Sequence, residues 1–162
     1  MYKALYIEDE KTDFVVSLIN EFGKLGVKCD FQDWADAAKK AKTSDNNIDF
    51  KKLYEILAIK QYDILLIDVM MPPKGIIGTN NGFLTGIILH DNLIDKTDLT
   101  KEKMTFFLTN LPVTTKSGSY YAKANEYAND ILSDSLFSKK NPKLIAEKIL
   151  ATIKNNTGTS NE

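Results

Sequence analysis

Five polar side chains in this sequence each stand at or just past the end of a short apolar run. Glu8 and Asp9 follow residues 4–7, Asp68 follows 64–67, Thr109 follows 105–108, and Lys139 comes soon after 135–137. If those runs are neighbouring parallel strands, three carboxylates, a hydroxyl and an ammonium converge at the carboxyl end of one sheet. Carboxylates held close repel one another unless a cation sits among them, and a hard divalent ion such as Mg2+ suits all-oxygen ligation. A lysine opposite neutralises further charge and orients a phosphoryl oxygen, to which a threonine hydroxyl can also donate. This set of groups fits phosphoryl transfer onto a carboxylate, with Asp68, the central strand-end acid, as nucleophile.

The elements that must position these groups are legible from periodicity. Val15, Leu18, Ile19 and Phe22 mark one face of a helix that Thr12 caps and Gly23 or Gly26 stops. Residues 27–31, with Cys29 among them, read as a second strand. A helix runs from about Asp33 to Lys42, residues 43–47 break it, and helical spacing resumes over 50–60. The run 64–67 is apolar throughout, as suits a strand buried on both faces. A long loop over 72–82 precedes a helix over 83–93, and a polar stretch leads to a strand over 105–108. Residues 111–118 read as loop, 119–129 as helix and 135–137 as a short fifth strand. Pro142 opens a last helix with Leu144, Ile145, Ile149 and Ile153 along one stripe. Strand and helix alternate, and right-handed crossovers turn such an order into an α/β doubly wound, five-stranded parallel sheet with helices on both faces. One domain is expected over residues 1–154, with a flexible tail over 155–162.

Composition narrows the function. The chain has 162 residues, 43% hydrophobic and 27% charged, as expected of an ordinary globular domain. Lys plus Arg number 21 against 22 acidic residues, and every one of the 21 is lysine. A net charge of -1 with no arginine argues against nucleic acid or an anionic membrane as partner. A single cysteine, Cys29, makes no intramolecular disulfide, and a single histidine, His90, excludes sites that need two imidazoles. No apolar run approaches the roughly 18 residues of a membrane span, and the N-terminus lacks the features of a signal peptide. A cytoplasmic location is the expectation.

These residues carry a resemblance. Residues 4–10, ALYIEDE, resemble the opening strand and acidic pair of response-regulator receiver domains. Residues 62–72, YDILLIDVMMP, are similar to the phosphoacceptor strand of that family, with its proline four residues past the aspartate. Residues 106–109, FFLT, and 136–139, LFSK, are similar to the strands that end in the signalling Thr or Ser and in the lysine. The resemblance implies a flavodoxin-like receiver fold with Asp68 as phosphoacceptor. It implies Mg2+ held by Asp9 directly, Glu8 through water, Asp68 and the backbone carbonyl of Met70. Thr109 and Lys139 would grip the phosphoryl oxygens, with Leu136 at the position of the switch side chain. The implied partners are a histidine kinase or phosphotransfer protein upstream and a protein contacted downstream. The chain would be a phosphoacceptor, not an enzyme acting on a separate substrate, and the expected output is a protein contact, not a domain of its own. Two positions depart from the family pattern: Lys140 stands where proline is usual after the lysine, and Leu136 where an aromatic is usual. The intervals between the motifs are also long, with extra residues over 43–60, 73–81, 93–103 and 111–118.

Plainer readings stand beside these. Glu8 and Asp9 could serve the dipole of the first helix, Lys139 could be one more solvated lysine, and Thr109 could simply end a strand. His90 is read as a half-exposed structural residue and Cys29 as a small buried hydrophobe, while Trp34 fits either packing or a partner anchor. The runs containing Lys39, Lys40, Lys42, Lys51 and Lys52 are read as solvated helix faces. The alternative function is a divergent receiver acting as a phosphorylation-independent interaction module. A haloacid-dehalogenase-like phosphatase would need a second acid at position 70, where Met70 stands. Flavin binding would need a first loop without the repelling acids of Glu8, Asp9 and Glu10.

Overall fold

A computed structural model of the chain describes residues 1–79, 81–82, 84–97, 104–110 and 136–156. The predicted loop over 111–118 and helix over 119–129 lie outside the described residues. Five strands, β1 (Lys3–Glu8), β2 (Lys28–Asp33), β3 (Ile64–Asp68), β4 (Met104–Thr109) and β5 (Leu136–Ser138), form one sheet in the order β2-β1-β3-β4-β5. Every pairing is parallel. The described helices are α1 (Asp13–Lys24), α2 (Trp34–Ala41), α3 (Phe50–Ile56), α4 (Thr85–Thr97) and α5 (Pro142–Asn156), with a 3-10 turn at Ile59–Gln61.

Strand alternation divides the core into two layers. Ala4, Tyr6, Ile64, Leu66, Phe106 and Leu108 face α1 and α5, where Val15, Leu18, Phe22, Ile145 and Ile149 meet them. Leu5, Ile7, Leu65, Ile67 and Phe107 face the other way, onto Trp34, Leu53 and Ile87 of α2, α3 and α4. Because both faces are covered, the central strands carry no polar alternation, which is why residues 64–67 are apolar without a break.

Helix starts follow local chemistry. The side chains of Thr12, Asp33 and Asp49 accept hydrogen bonds from the N–H groups of Val15, Asp36 and Lys52 at the starts of α1, α2 and α3. The boundaries shift modestly from the sequence reading. β2 runs on to Asp33, α4 extends to Thr97, and α5 continues through Asn155 and Asn156, which were expected in the tail.

The segment between β3 and α4 is long but packed. Met71 and Ile76 are buried in the core. Trp34 Nε1 donates to Pro72 O at 2.7 Å, and Thr85 Oγ1 donates to Met71 O at 2.6 Å. Gly75 has φ +98°, and a Cβ there would meet Asn46 O at 2.4 Å, so glycine lets this segment lie against the turn after α2. Trp34 is therefore a fully buried packing residue with a structural hydrogen bond.

The first turn of α4 presses directly on β3. A Cβ on Gly86 would lie 2.1 Å from Asp68 O and 3.0 Å from Ile67 Cγ2, while Gly86 N–H donates to Val69 O at 3.0 Å. Alanine in place of a helical glycine ordinarily stabilises by roughly 0.5–1 kcal/mol. Here Gly86→Ala is expected to destabilise by about 1–3 kcal/mol through overpacking. Urea denaturation reads the sign, and a gain in stability would mean that α4 does not lean on Asp68.

Candidate functional site

The ladder registers gather the five strand-end residues. Ile7 pairs with Ile67, so Glu8 ends β1 beside Asp68 at the end of β3. Asp68 pairs with Leu108, so Thr109 lies one residue beyond it on β4. Thr109 pairs with Ser138, and the Lys139 N–H extends that ladder by donating to Thr109 O at 2.8 Å. Glu8 and Asp68 are only 2% and 3% exposed, Thr109 is buried, and Asp9 is partly buried.

Lys139 joins two of the acids. Its Nζ lies 2.5 Å from Glu8 Oε2 and 3.1 Å from Asp68 Oδ1, with all three side chains almost fully withdrawn from solvent. Glu8 Oε1 accepts the Asp9 N–H at 3.1 Å, and Glu8 Oε2 also lies 3.5 Å from the Tyr6 hydroxyl. One ammonium cannot balance two buried carboxylates and a partly buried third. Burial, then a hydrogen bond shared with Asp68, pushes Glu8 up to about 7. Burial and the adjacent Glu8 push Asp9 up to about 6. Burial also raises Asp68 above the usual carboxylate range, against the pull of Glu8 and Lys139. Burial works against the Lys139 charge, but Asp68 and Glu8 outweigh it and hold the ammonium above its ordinary pKa.

This donor set fits a hard divalent cation. One carboxylate oxygen from each of Glu8, Asp9 and Asp68 falls within 4.8 Å of the others, and all are oxygen donors in a field that favours positive charge. Met70, whose carbonyl the resemblance adds to the ligand set, lies two residues past Asp68 with its side chain packed on the α2–α4 layer.

The remaining expectations are placed as follows. Leu136 pairs with Phe107 and packs, half-buried, against the α2–α4 layer. β5 does carry an aromatic, but at Phe137, which alternation turns to the other face, 6.3 Å from the ring of Phe106. Lys140 is exposed, its N–H donates to Ser138 O at 2.7 Å in a tight turn around Lys139, and there is no cis peptide among the described residues. His90 corrects its expectation. It is 4% exposed instead of half-exposed, because the inner side of α4 sets its ring edge-on to Phe107 at 5.2 Å. Cys29, expected as a small buried hydrophobe, is half-buried because β2 is an edge strand. Tyr6 is a neighbour of the site that apolar periodicity conceals. Its signal was a phenol in an otherwise aliphatic buried strand, two residues before Glu8 and so on the same strand face.

The protonation of Glu8 makes stability depend on pH. An unfolded glutamate titrates near about 4.3, whereas folded Glu8 keeps its proton up to about 7. Between those values the folded state holds a proton that the unfolded chain has lost, so cation-free stability falls as pH rises through the window. Asp9 acts in the same direction, up to about 6. Thermal denaturation with chelator should give a higher midpoint at about pH 5 than at about pH 8, with Mg2+ stabilising more at the higher pH. A cation-free midpoint that climbs across this window would contradict the buried, proton-sharing cluster.

No protein-family model matches the chain, and no curated protein matches it. Among solved structures it is similar to the receiver domain of the Francisella response regulator 1452, at 18% identity over 96% of this chain and 99% of that one, with a TM-score of 0.56. It is similar to a response regulator protein from Burkholderia multivorans, at 18% identity, 94% and 95% coverage and a TM-score of 0.51. A chain from the complex of the P1 domain of CheA3 with CheY6 of R. sphaeroides is also similar, at 16% identity, 96% and 95% coverage and a TM-score of 0.50. No helix among the described residues is long and apolar enough to cross a membrane. With the strand order and the strand-end acids in place, the chain has the flavodoxin-like fold of response-regulator receiver domains.

Proposed function

We propose that this chain is a receiver that accepts a phosphoryl group on Asp68 from a phosphohistidine of a histidine kinase or phosphotransfer protein. The observation that carries the reading is the buried contact of Asp68 with Lys139 at 3.1 Å, flanked by Glu8 and Asp9 at the carboxyl edge of the sheet. In the transfer an Asp68 carboxylate oxygen attacks phosphorus, the O–P bond forms as the N–P bond breaks, and the imidazole leaves and takes up a proton. Glu8, Asp9, Asp68 and the Met70 carbonyl would hold Mg2+, which when bound offsets the charge gathering on the transferring group. Lys139 and the Thr109 hydroxyl receive the phosphoryl oxygens. Asp68 must be ionised to attack, and Lys139 opposes the burial that would keep it protonated.

On this reading the chain is a phosphoacceptor working in the cytoplasm, and its output is a protein contact altered by the new charge. The likeness to a structure that holds a CheA3 P1 domain with CheY6 supports a kinase phosphotransfer module as the partner class.

Incubation with acetyl phosphate and Mg2+, followed by intact mass, tests the proposal. One phosphoryl adduct is expected, dependent on the cation and absent from Asp68→Asn. A folded wild-type protein that acquires no adduct under these conditions would instead favour a phosphorylation-independent interaction module.

A further inference from the structure

Tyr6 is the polar exception in an apolar row. Tyr6, Leu66 and Phe106 pair in sequence across β1, β3 and β4, and all three are fully buried beneath α1 and α5. Packing asks only for hydrocarbon at this position, and a buried hydroxyl is costly unless it finds a partner. Among the described residues the Tyr6 hydroxyl has one hydrogen bond, a long one of 3.5 Å to Glu8 Oε2. That is the same oxygen that Lys139 Nζ approaches at 2.5 Å. The other Glu8 oxygen is already served by the Asp9 N–H at 3.1 Å.

The proposed reaction asks Lys139 to move. Its ammonium holds Glu8 Oε2 and Asp68 Oδ1 together, so an oxygen of a phosphoryl group on Asp68 would compete with Glu8 Oε2 for it. A buried carboxylate oxygen left with no donor is expensive, and without a second donor on Glu8 Oε2 that cost would hold the lysine in place. We propose that Tyr6 is a positioning residue that frees Lys139: its hydroxyl stays on Glu8 Oε2 when the ammonium passes to the phosphoryl group. This inference rests on the phosphoacceptor reading above and names a residue through which that site is regulated.

Tyr6→Phe removes one oxygen and leaves the ring in the core. The test is the initial rate of phosphoryl uptake from acetyl phosphate at saturating Mg2+, in which the Asp68 O–P bond forms as acetate leaves. It is read by intact mass at a temperature where circular dichroism shows every variant folded. Phe106→Leu, in the same buried row, serves as a control that perturbs packing without touching a hydroxyl. Tyr6→Phe is expected to lower the maximal rate about 3- to 10-fold, the effect of one lost hydrogen bond, while Phe106→Leu keeps the wild-type rate. Equal rates for Tyr6→Phe and wild type, or an equal loss in Phe106→Leu, would reduce Tyr6 to a packing residue and overturn the inference alone. A wild-type protein that takes up no phosphoryl group would overturn the phosphoacceptor reading, and this inference with it.

Discussion

Lys139 brings its ammonium into a space where burial alone would keep carboxylates protonated. At 2.5 Å from Glu8 and 3.1 Å from Asp68 it ties β1, β3 and the end of β5 together across 131 positions of sequence. The contact is possible because the Lys139 N–H closes the last rung of the β4–β5 ladder on Thr109 O and the chain then turns tightly at Ser138 and Lys140. Such a pair is weak evidence for stability in itself, since desolvation offsets much of the attraction. Its consequence is electrostatic: two of three neighbouring acids are partly balanced, and the cluster as a whole retains demand for positive charge. That residual demand is what a divalent cation would satisfy.

Asp68 also depends on what lies behind it. Its backbone carbonyl is crowded by Gly86 at the start of α4, and Val69 is bonded on one side to Leu108 O and on the other to the Gly86 N–H. The segment that follows is anchored by Trp34 at Pro72, by the close approach of Gly75 to Asn46, and by Thr85 at Met71. The extra residues after Asp68 therefore do not loosen the site. The described residues of this segment pack against α2 and the turn that follows it, beside the end of β3.

Much of this was legible in the sequence, for a physical reason. Strands buried on both faces are largely apolar, so the first polar residue after each run marks the carboxyl end of the strand, and Glu8, Asp68 and Thr109 stand at those points. Lys139 lies one residue past its strand and was found by the same pattern. What the sequence could not display were contacts between faces. The burial of His90 depends on Phe107 of another element, the half-exposure of Cys29 on β2 lying at the sheet edge, and the role of Trp34 on a carbonyl far along the chain. Tyr6 was hidden because apolar periodicity counts a tyrosine as core and passes over its hydroxyl. Leu136 departs from the family pattern but packs against the α2–α4 layer, and β5 carries its aromatic, Phe137, on the opposite face.

The claim on which all of this turns is that Lys139 offsets buried negative charge shared by Glu8 and Asp68. Denaturant unfolding of Lys139→Met without divalent cation, at about pH 5 and about pH 8, tests it most directly. Removing one partner of a buried pair costs roughly 3–5 kcal/mol when the remaining acids are ionised. A loss of that order is expected at the higher pH, much of it recovered at the lower pH or on adding Mg2+. An equal, small loss at both pH values, indifferent to Mg2+, would contradict it.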